Sequence, residues 1–323
     1  MTAKNTKTGK NTETARTTEA GKDTETARTA ELGKSTESAK STASGAHHAP
    51  PTVLVLGATG KTGRRVVARL RDAQAVTVRA ASRSGEVAFD WTLPDTWEPA
   101  LAGADAVYLI APDDPGPVKA FVKQADALGV RRFVALSGHG IEGAGDDFGQ
   151  GMAAAETAVQ ESGAEWTLLR ANNFFQNFDE DLWLAPLRAG RLGLPIGDVP
   201  EPFIDTDDVA AVAAAVLTED GHAGRTYVLT GPRGLTFAEA TETIARAAGR
   251  PIRFEELTPA AYRAELLAEG WPEAAADALG AMFALHRAGH SAEVTDDVRR
   301  VLGRDPADLE PWARRIAARG TWA

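Results

Sequence analysis

Residues Val53-Leu54-Val55-Leu56-Gly57-Ala58-Thr59-Gly60-Lys61-Thr62-Gly63-Arg64-Arg65-Val66-Val67 read as a buried strand that runs through three glycines into a helix. The apolar, β-branched run suits a strand covered on both faces. Glycines at 57, 60 and 63 let the backbone turn tightly and approach phosphate oxygens with no Cβ in the way. The next helix offers free N–H groups and the positive end of its dipole to an anion. The segment, with Thr59, Lys61 and Thr62 on the same turn, predicts a dinucleotide pyrophosphate site. Gly60-Lys61-Thr62 also matches the end of a Walker A motif, which requires a glycine five residues earlier. Val55 stands there, inside the strand, so a P-loop is excluded.

From Pro51 onward, short apolar runs alternate with amphipathic segments, the pattern of a parallel sheet wound by helices. Strands are predicted near Val53–Gly57, Ala75–Ala81, Val87–Phe89, Ala106–Ala111, Arg132–Leu136, Trp166–Arg170 and Arg225–Thr230. Helices are predicted near Gly60–Arg71, Asp95–Leu101, Pro117–Leu128, Asp147–Ser162, Phe174–Leu187 and Asp205–Leu217, the last with Thr206 as its N-cap. Further helices are expected at Thr236–Ala248, Pro259–Glu269, Pro272–Ala288 and Thr295–Leu302. The expected fold is α/β, a Rossmann-type doubly wound parallel sheet with a smaller, mainly helical C-terminal lobe over the substrate. The expected bounds are a tail and linker at 1–50, the Rossmann domain at 51–235 and the lobe at 236–323.

The first 45 residues carry a 12-residue repeat beginning at Gly9, Gly21 and Gly33, with no aromatic residue and almost nothing apolar. Such a segment cannot offset its ordering entropy, so a solvated tail is expected. It lacks the apolar core of a signal peptide. The tail is near +2 and the remainder near −12. An acidic body argues against nucleic acid as a partner, because phosphate binding rests on basic patches. No run approaches the length of a membrane span. The chain has no cysteine, which excludes disulfides, thiolate nucleophiles and zinc-thiolate sites. A cytoplasmic protein, monomer or homodimer, is expected.

An NAD-preferring site usually carries Asp or Glu at the end of the second strand, to bind the ribose 2′-hydroxyl. Here that strand ends Val78-Arg79-Ala80-Ala81-Ser82-Arg83-Ser84. Arg83 and Ser82 stand where a 2′-phosphate would sit, with Arg79 as a possible second contact, so NADPH is the expected cofactor. Asp90 is placed to meet the adenine amino group.

The Tyr-x-x-x-Lys relay of short-chain dehydrogenases is absent. Four residues after Tyr108, Tyr227 and Tyr262 stand Pro112, Gly231 and Leu266, and no lysine occurs after Lys123. At the end of the fifth strand, Ser137 either polarises a substrate carbonyl or caps the next turn, and His139 is a candidate proton donor. Metal catalysis has no support: His286 and His290 have helical spacing, but Arg287 replaces the glutamate such a motif needs. No Gly-x-Ser-x-Gly elbow is present.

Taken together, Gly57 to Gly63, Tyr108-Leu109-Ile110-Ala111-Pro112, Ser137-Gly138, Trp166 to Phe178, Phe203 to Ala210 and Tyr227 to Pro232 resemble the NmrA-like family, atypical members of the short-chain dehydrogenase/reductase superfamily. The resemblance spans Val53 to about Pro251. It implies an NADP-binding domain, Ala111 and Pro112 beside the nicotinamide ribose, and Asn172 to Phe174 bordering nicotinamide and substrate. It implies either a reductase of quinones, imines or iminium ions, or ketones of natural-product pathways, or a redox sensor that binds the dinucleotide without turning it over. Ala171 departs from the proline usual there. For a reductase the expected acceptor is a quinone-like or phenol-conjugated ketone, polarised by Ser137 and Asn172. Phe174, Phe175, Trp183 and Phe283 are the candidate stacking surface for an aromatic or polycyclic ring.

Overall fold

The β-branched run at Val53 becomes β1 (Thr52–Leu56), whose residues 53–56 are almost wholly buried. The structure, a computed structural model, describes residues 49–146 and 148–323; all but the last two residues of the tail and linker expected at 1–50 lie outside the described residues. Five more apolar runs form β2 (Thr77–Ser82), β3 (Val87–Ala88), β4 (Ala106–Ile110), β5 (Arg132–Gly138) and β6 (Glu165–Ala171). Two later strands, β7 (Arg191–Leu194) and β8 (Arg225–Leu229), complete the chain to that point. All but β7 pair in one parallel sheet of order β3-β2-β1-β4-β5-β6-β8. The order reverses between β1 and β4, which opens a crevice at their carboxyl ends.

Both faces of the sheet are covered. On one face α1 (Gly63–Ala73) and α6 (Thr206–Thr218) pack over Val53, Val55, Tyr108 and Val134. On the other, α2 (Trp97–Leu101), α3 (Val118–Ala127) and α4 (Gln150–Gln160) pack over Leu54, Leu56, Val107 and Phe133. This is the expected doubly wound sheet.

A third core, distinct from these two, holds α5 (Leu184–Arg188), α7 (Phe237–Ala248), α8 (Pro259–Ala268), α9 (Glu273–Arg287) and α11 (Leu309–Ala317). It draws on residues 175–203 as well as 235–322, so its edge does not coincide with the expected boundary at 235/236. The short helix α10 (Asp297–Leu302) packs instead on α6 and β8, with Val298 in the sheet's core. The lobe also contains a strand pair unforeseen in the sequence, β7 with β9 (Arg253–Glu256), in parallel register from Arg191↔Arg253 to Leu194↔Glu256.

Two local expectations are corrected. Phe174–Leu187 is not one helix but a single 3₁₀ turn at Phe175–Asn177, a run of turns, and α5. The turns are held by side chains of α1 and the turn before it, because Lys61, Arg64 and Arg65 draw Glu180 and Asp181 toward them. The N-cap of α6 is Asp205 rather than Thr206: its carboxylate accepts from the Asp207 N–H at 2.9 Å, while Thr206 is already helical.

Candidate active site

The carboxyl ends of β1, β2 and β4 wall a cleft of about 720 Å³. Gly57, Thr59, Gly60, Lys61, Thr62, Ser82, Arg83, Asp90, Ala111 and Pro112 all line it, together with Trp91 and Phe174. Gly57 has φ +60°, and the turn closes through Gly60 N–H to Gly57 C=O at 2.8 Å. Among the described residues, the N–H groups of Thr59, Lys61 and Thr62 donate to no carbonyl, so they remain available to an anion at the start of α1. Gly63 stands apart from the lining. A Cβ there would meet the Gly57 carbonyl oxygen at 2.2 Å, so this glycine lets α1 pack against the turn.

At the far end of the cleft, Arg83 is exposed and makes no ion pair among the described residues. Beside it the Ser82 hydroxyl is buried without a hydrogen-bond partner. A cation and an orphaned hydroxyl fit a phosphate monoester. Arg79, the possible second contact, turns away: its guanidinium donates to the carbonyls of Ala100 and Ala102 and ties β2 to α2. Asp90 accepts from the Thr92 N–H and hydroxyl, both at 2.8 Å, and these bonds hold its carboxyl below the usual range.

Phe174 is shared by this cleft and a pocket of about 110 Å³, whose walls include Gly138, His139, Asn172, Asn173, Met282 and His286. The Asn172 Nδ2 donates to the Ser291 carbonyl at 2.7 Å and reaches His139 Nδ1 at 3.1 Å. Its Oδ1 accepts from the Asn173 N–H at 2.6 Å. A carbonyl can only accept, which fixes Nδ2 as the atom facing Ser291 and makes His139 Nδ1 an acceptor. The remaining proton of a neutral His139 is then on Nε2. Burial pushes the His139 pKa down, with the nearby Glu201 carboxylate opposing it.

Several predicted contacts are not brought together. Asn172 spends both amide hydrogens and its oxygen on the protein, so it orients His139 instead of polarising an acceptor. Ser137 is 3% exposed and lies in neither lining; side chains alternate along β5, and Leu136 and Gly138 take the cavity walls. Its hydroxyl makes no hydrogen bond, so it caps nothing either. Phe175 packs against Trp312 at 5.3 Å, and Phe283 edge-on to Tyr262 at 5.3 Å; both are core residues. Trp183 packs on Phe178 and Phe237, and the surface it retains faces a separate cavity of about 700 Å³ inside the lobe. Of the four aromatics only Phe174 reaches the site. None of the three tyrosines lines the cleft or the small pocket, and burial drives the Tyr108 and Tyr262 phenols far above their ordinary range.

The NAD(P)H-binding family matches residues 57–220, from the first glycine to just past α6 and over half of the chain. The chain belongs to this family. An NAD(P)H azoreductase of Xenophilus azovorans is 33% identical over 284 residues, covering 82% of this chain and 98% of the relative. A (4-alkanoyl-5-oxo-2,5-dihydrofuran-3-yl)methyl phosphate reductase of Streptomyces griseus is 36% identical over 278 residues, covering 82% and 98%. The crystal structure of NmrA, a negative transcriptional regulator in complex with NAD, matches with a TM-score of 0.67 at 17% identity, over 85% of this chain and 97% of that one. That likeness is one of fold, and the fold is NmrA-like. Among the described residues no helix is long and apolar enough to cross a membrane.

In this NAD(P)H-binding chain an acidic strap crosses the start of α1. Lys61 donates to Asn177 Oδ1 at 2.6 Å and pairs with Asp181 at 2.9 Å; Arg65 pairs with Glu180 at 2.7 Å. Asp179 in the same strap has an Oδ1 without a partner, and burial pushes its pKa up to about 6, with Glu180 adding repulsion. A carboxyl whose pKa rises on folding costs stability as it ionises, so the cost grows as pH climbs from about 4 through about 6. Asp179→Asn should therefore raise the melting temperature at pH 7.5 by roughly 2–4 °C, about 1 kcal/mol after discounting for partial exposure. At pH 4 it should change little. Thermal melts at the two pH values check this.

Proposed function

We propose that the chain is an NADPH-dependent reductase that delivers hydride to a quinone-like or phenol-conjugated carbonyl compound. The chain is an NAD(P)H-dependent oxidoreductase, as its reductase relatives are named. The observation that carries the finer reading is the meeting of cleft and pocket at Phe174, where a donor in one and an acceptor in the other share a wall. When bound, NADPH supplies the hydride. Thr59 to Thr62 would hold its pyrophosphate, Arg83 and Ser82 its 2′-phosphate, and Ala111 and Pro112 its nicotinamide ribose. Holding two reactants in line recovers roughly 7–11 kcal/mol of barrier. His139, with Nδ1 committed to Asn172, offers Nε2–H to an acceptor oxygen in the pocket.

The size of the pocket narrows the substrate. At about 110 Å³ it is far smaller than the roughly 300–1,000 Å³ that encloses a drug-sized ligand. One ring of the acceptor enters it, and any fused rings extend outward along Phe174 and Met282. Rapid mixing of the NADPH-loaded protein with a panel of quinones, aryl ketones and iminium ions tests the reading. Loss of the reduced-nicotinamide absorbance with the carbonyl acceptors is expected. Its persistence with every acceptor would favour the redox sensor.

A further inference from the structure

The cavity of about 700 Å³ inside the lobe is walled by α5, β7, α8 and α9, and its volume lies in the range that encloses a small organic molecule. It shares no lining residue with the cleft at the ends of β1, β2 and β4 or with the small pocket. Trp183, Tyr262 and Trp271 give it three aromatic side chains. Tyr262 is 7% exposed, and its hydroxyl makes no hydrogen bond among the described residues. Burial, and then the Glu269 carboxylate, raises the phenol's pKa, so the hydroxyl stays protonated at neutral pH. An unspent donor held in a buried wall points to a ligand.

The charges on the wall nearly cancel. Arg191 donates to Glu255 at 2.7 Å and to the two oxygens of Glu265 at 3.0 and 2.8 Å. Arg253, with 74% of its side chain exposed, lies 3.8 Å from the same Glu255. Two guanidiniums thus meet two carboxylates. Asp181 pairs with Lys61 at 2.9 Å. Of the acids on the wall, only Glu269 has no ion-pair partner among the described residues. It stands at the C-cap of α8, where the negative end of the helix dipole already disfavours an anion. The cavity therefore presents one uncompensated negative charge beside aromatic side chains, a combination that attracts organic cations. We propose that it is a separate ligand site for a monovalent organic cation, an amine or quaternary ammonium ion on an apolar body. The proposal goes beyond the reductase reading and does not depend on it.

Three ligands of similar size test the charge: benzyltrimethylammonium, the neutral benzyl methyl sulfone and the benzylsulfonate anion. Each is titrated calorimetrically into the full chain without cofactor. The ammonium ion should bind about tenfold more tightly than the sulfone, the scale of one contact to a charged group, and the sulfonate more weakly than either. Glu269→Gln should bring the ammonium ion down to the affinity of the sulfone and leave the sulfone unchanged. Trp271→Leu, which keeps an apolar wall without a π face, should weaken the ammonium ion about threefold more than the sulfone. An ammonium ion that binds no better than the sulfone, or whose advantage survives both substitutions, would overturn the proposal. Tighter binding of the sulfonate would overturn it as well and assign the cavity's charge preference to Arg253. No hydride transfer is read in these titrations, so each such failure leaves the reductase reading intact.

Discussion

Replacing Gly151 with alanine should lower the melting temperature by roughly 6–12 °C, the equivalent of about 3 kcal/mol. Gly151 is a buried residue in the first turn of α4, and a Cβ there would lie 1.7 Å from the Pro112 carbonyl oxygen and 2.9 Å from its carbon. No flexible side-chain end is available to give way, because the obstacle is backbone. Either α4 lifts from β4's carboxyl end or the Ala111–Pro112 turn is displaced. Pro112 lines the cleft proposed to hold the dinucleotide, so the variant should also bind NADPH more weakly. Circular dichroism melts and a fluorescence titration measure the two effects. A melting temperature within about 2 °C of the unaltered chain would show that the close approach is not a structural requirement.

Replacing Arg83 with alanine should weaken NADPH about thirtyfold, the equivalent of about 2 kcal/mol, which lies in the range for hydrogen bonds to a charged group. NADH, which lacks the 2′-phosphate, should change little. The asymmetry is the diagnostic result. Arg83 is exposed and contacts no carboxylate among the described residues, so its loss should leave the fold alone, and the second strand ends with no acid to favour a 2′-hydroxyl. Equal losses for the two cofactors in calorimetric titrations would remove the 2′-phosphate from the assignment.

The central sheet was legible because parallel strands covered on both faces carry near-continuous apolar runs, and Val53–Leu56 is one of them. The lobe was less so. β7 reads Arg-Leu-Gly-Leu and β9 reads Arg-Phe-Glu-Glu, short segments whose charges pair with one another once folded, as Arg191 does with Glu255 at 2.7 Å. Period alone does not reveal such strands. The helix expected over Phe174–Leu187 failed for a different reason, since ion pairs to α1 outcompete local helical preference in the turns before Trp183.

The cleft at the carboxyl ends of β1, β2 and β4 was legible where its lining is contiguous and glycine-marked, from Gly57 to Thr62. The small pocket beside it was not. Asn173 and His286 in its wall, and the Glu201 and Ser291 that bond to them, come from three separate segments, and a glutamate between two prolines reads as surface loop. His286 stood out only through its spacing to His290, which pointed to metal and away from its true neighbour. Aromatic type says nothing of which ring faces a ligand, so Phe175 and Phe283 looked equivalent to Phe174 although both are core. Ser137 shows how one residue of strand alternation decides between a cavity wall and the opposite face.

Hydride transfer itself is tested most directly by labelling the hydride. NADPH deuterated at the transferable position of the nicotinamide is mixed with the protein and a naphthoquinone or aryl ketone, and the products are analysed by mass spectrometry and NMR. Oxidised cofactor is expected in one-to-one yield with reduced acceptor and, for the ketone, deuterium on the former carbonyl carbon. Recovery of deuterated NADPH unchanged, from protein shown to bind it, would contradict a reductase.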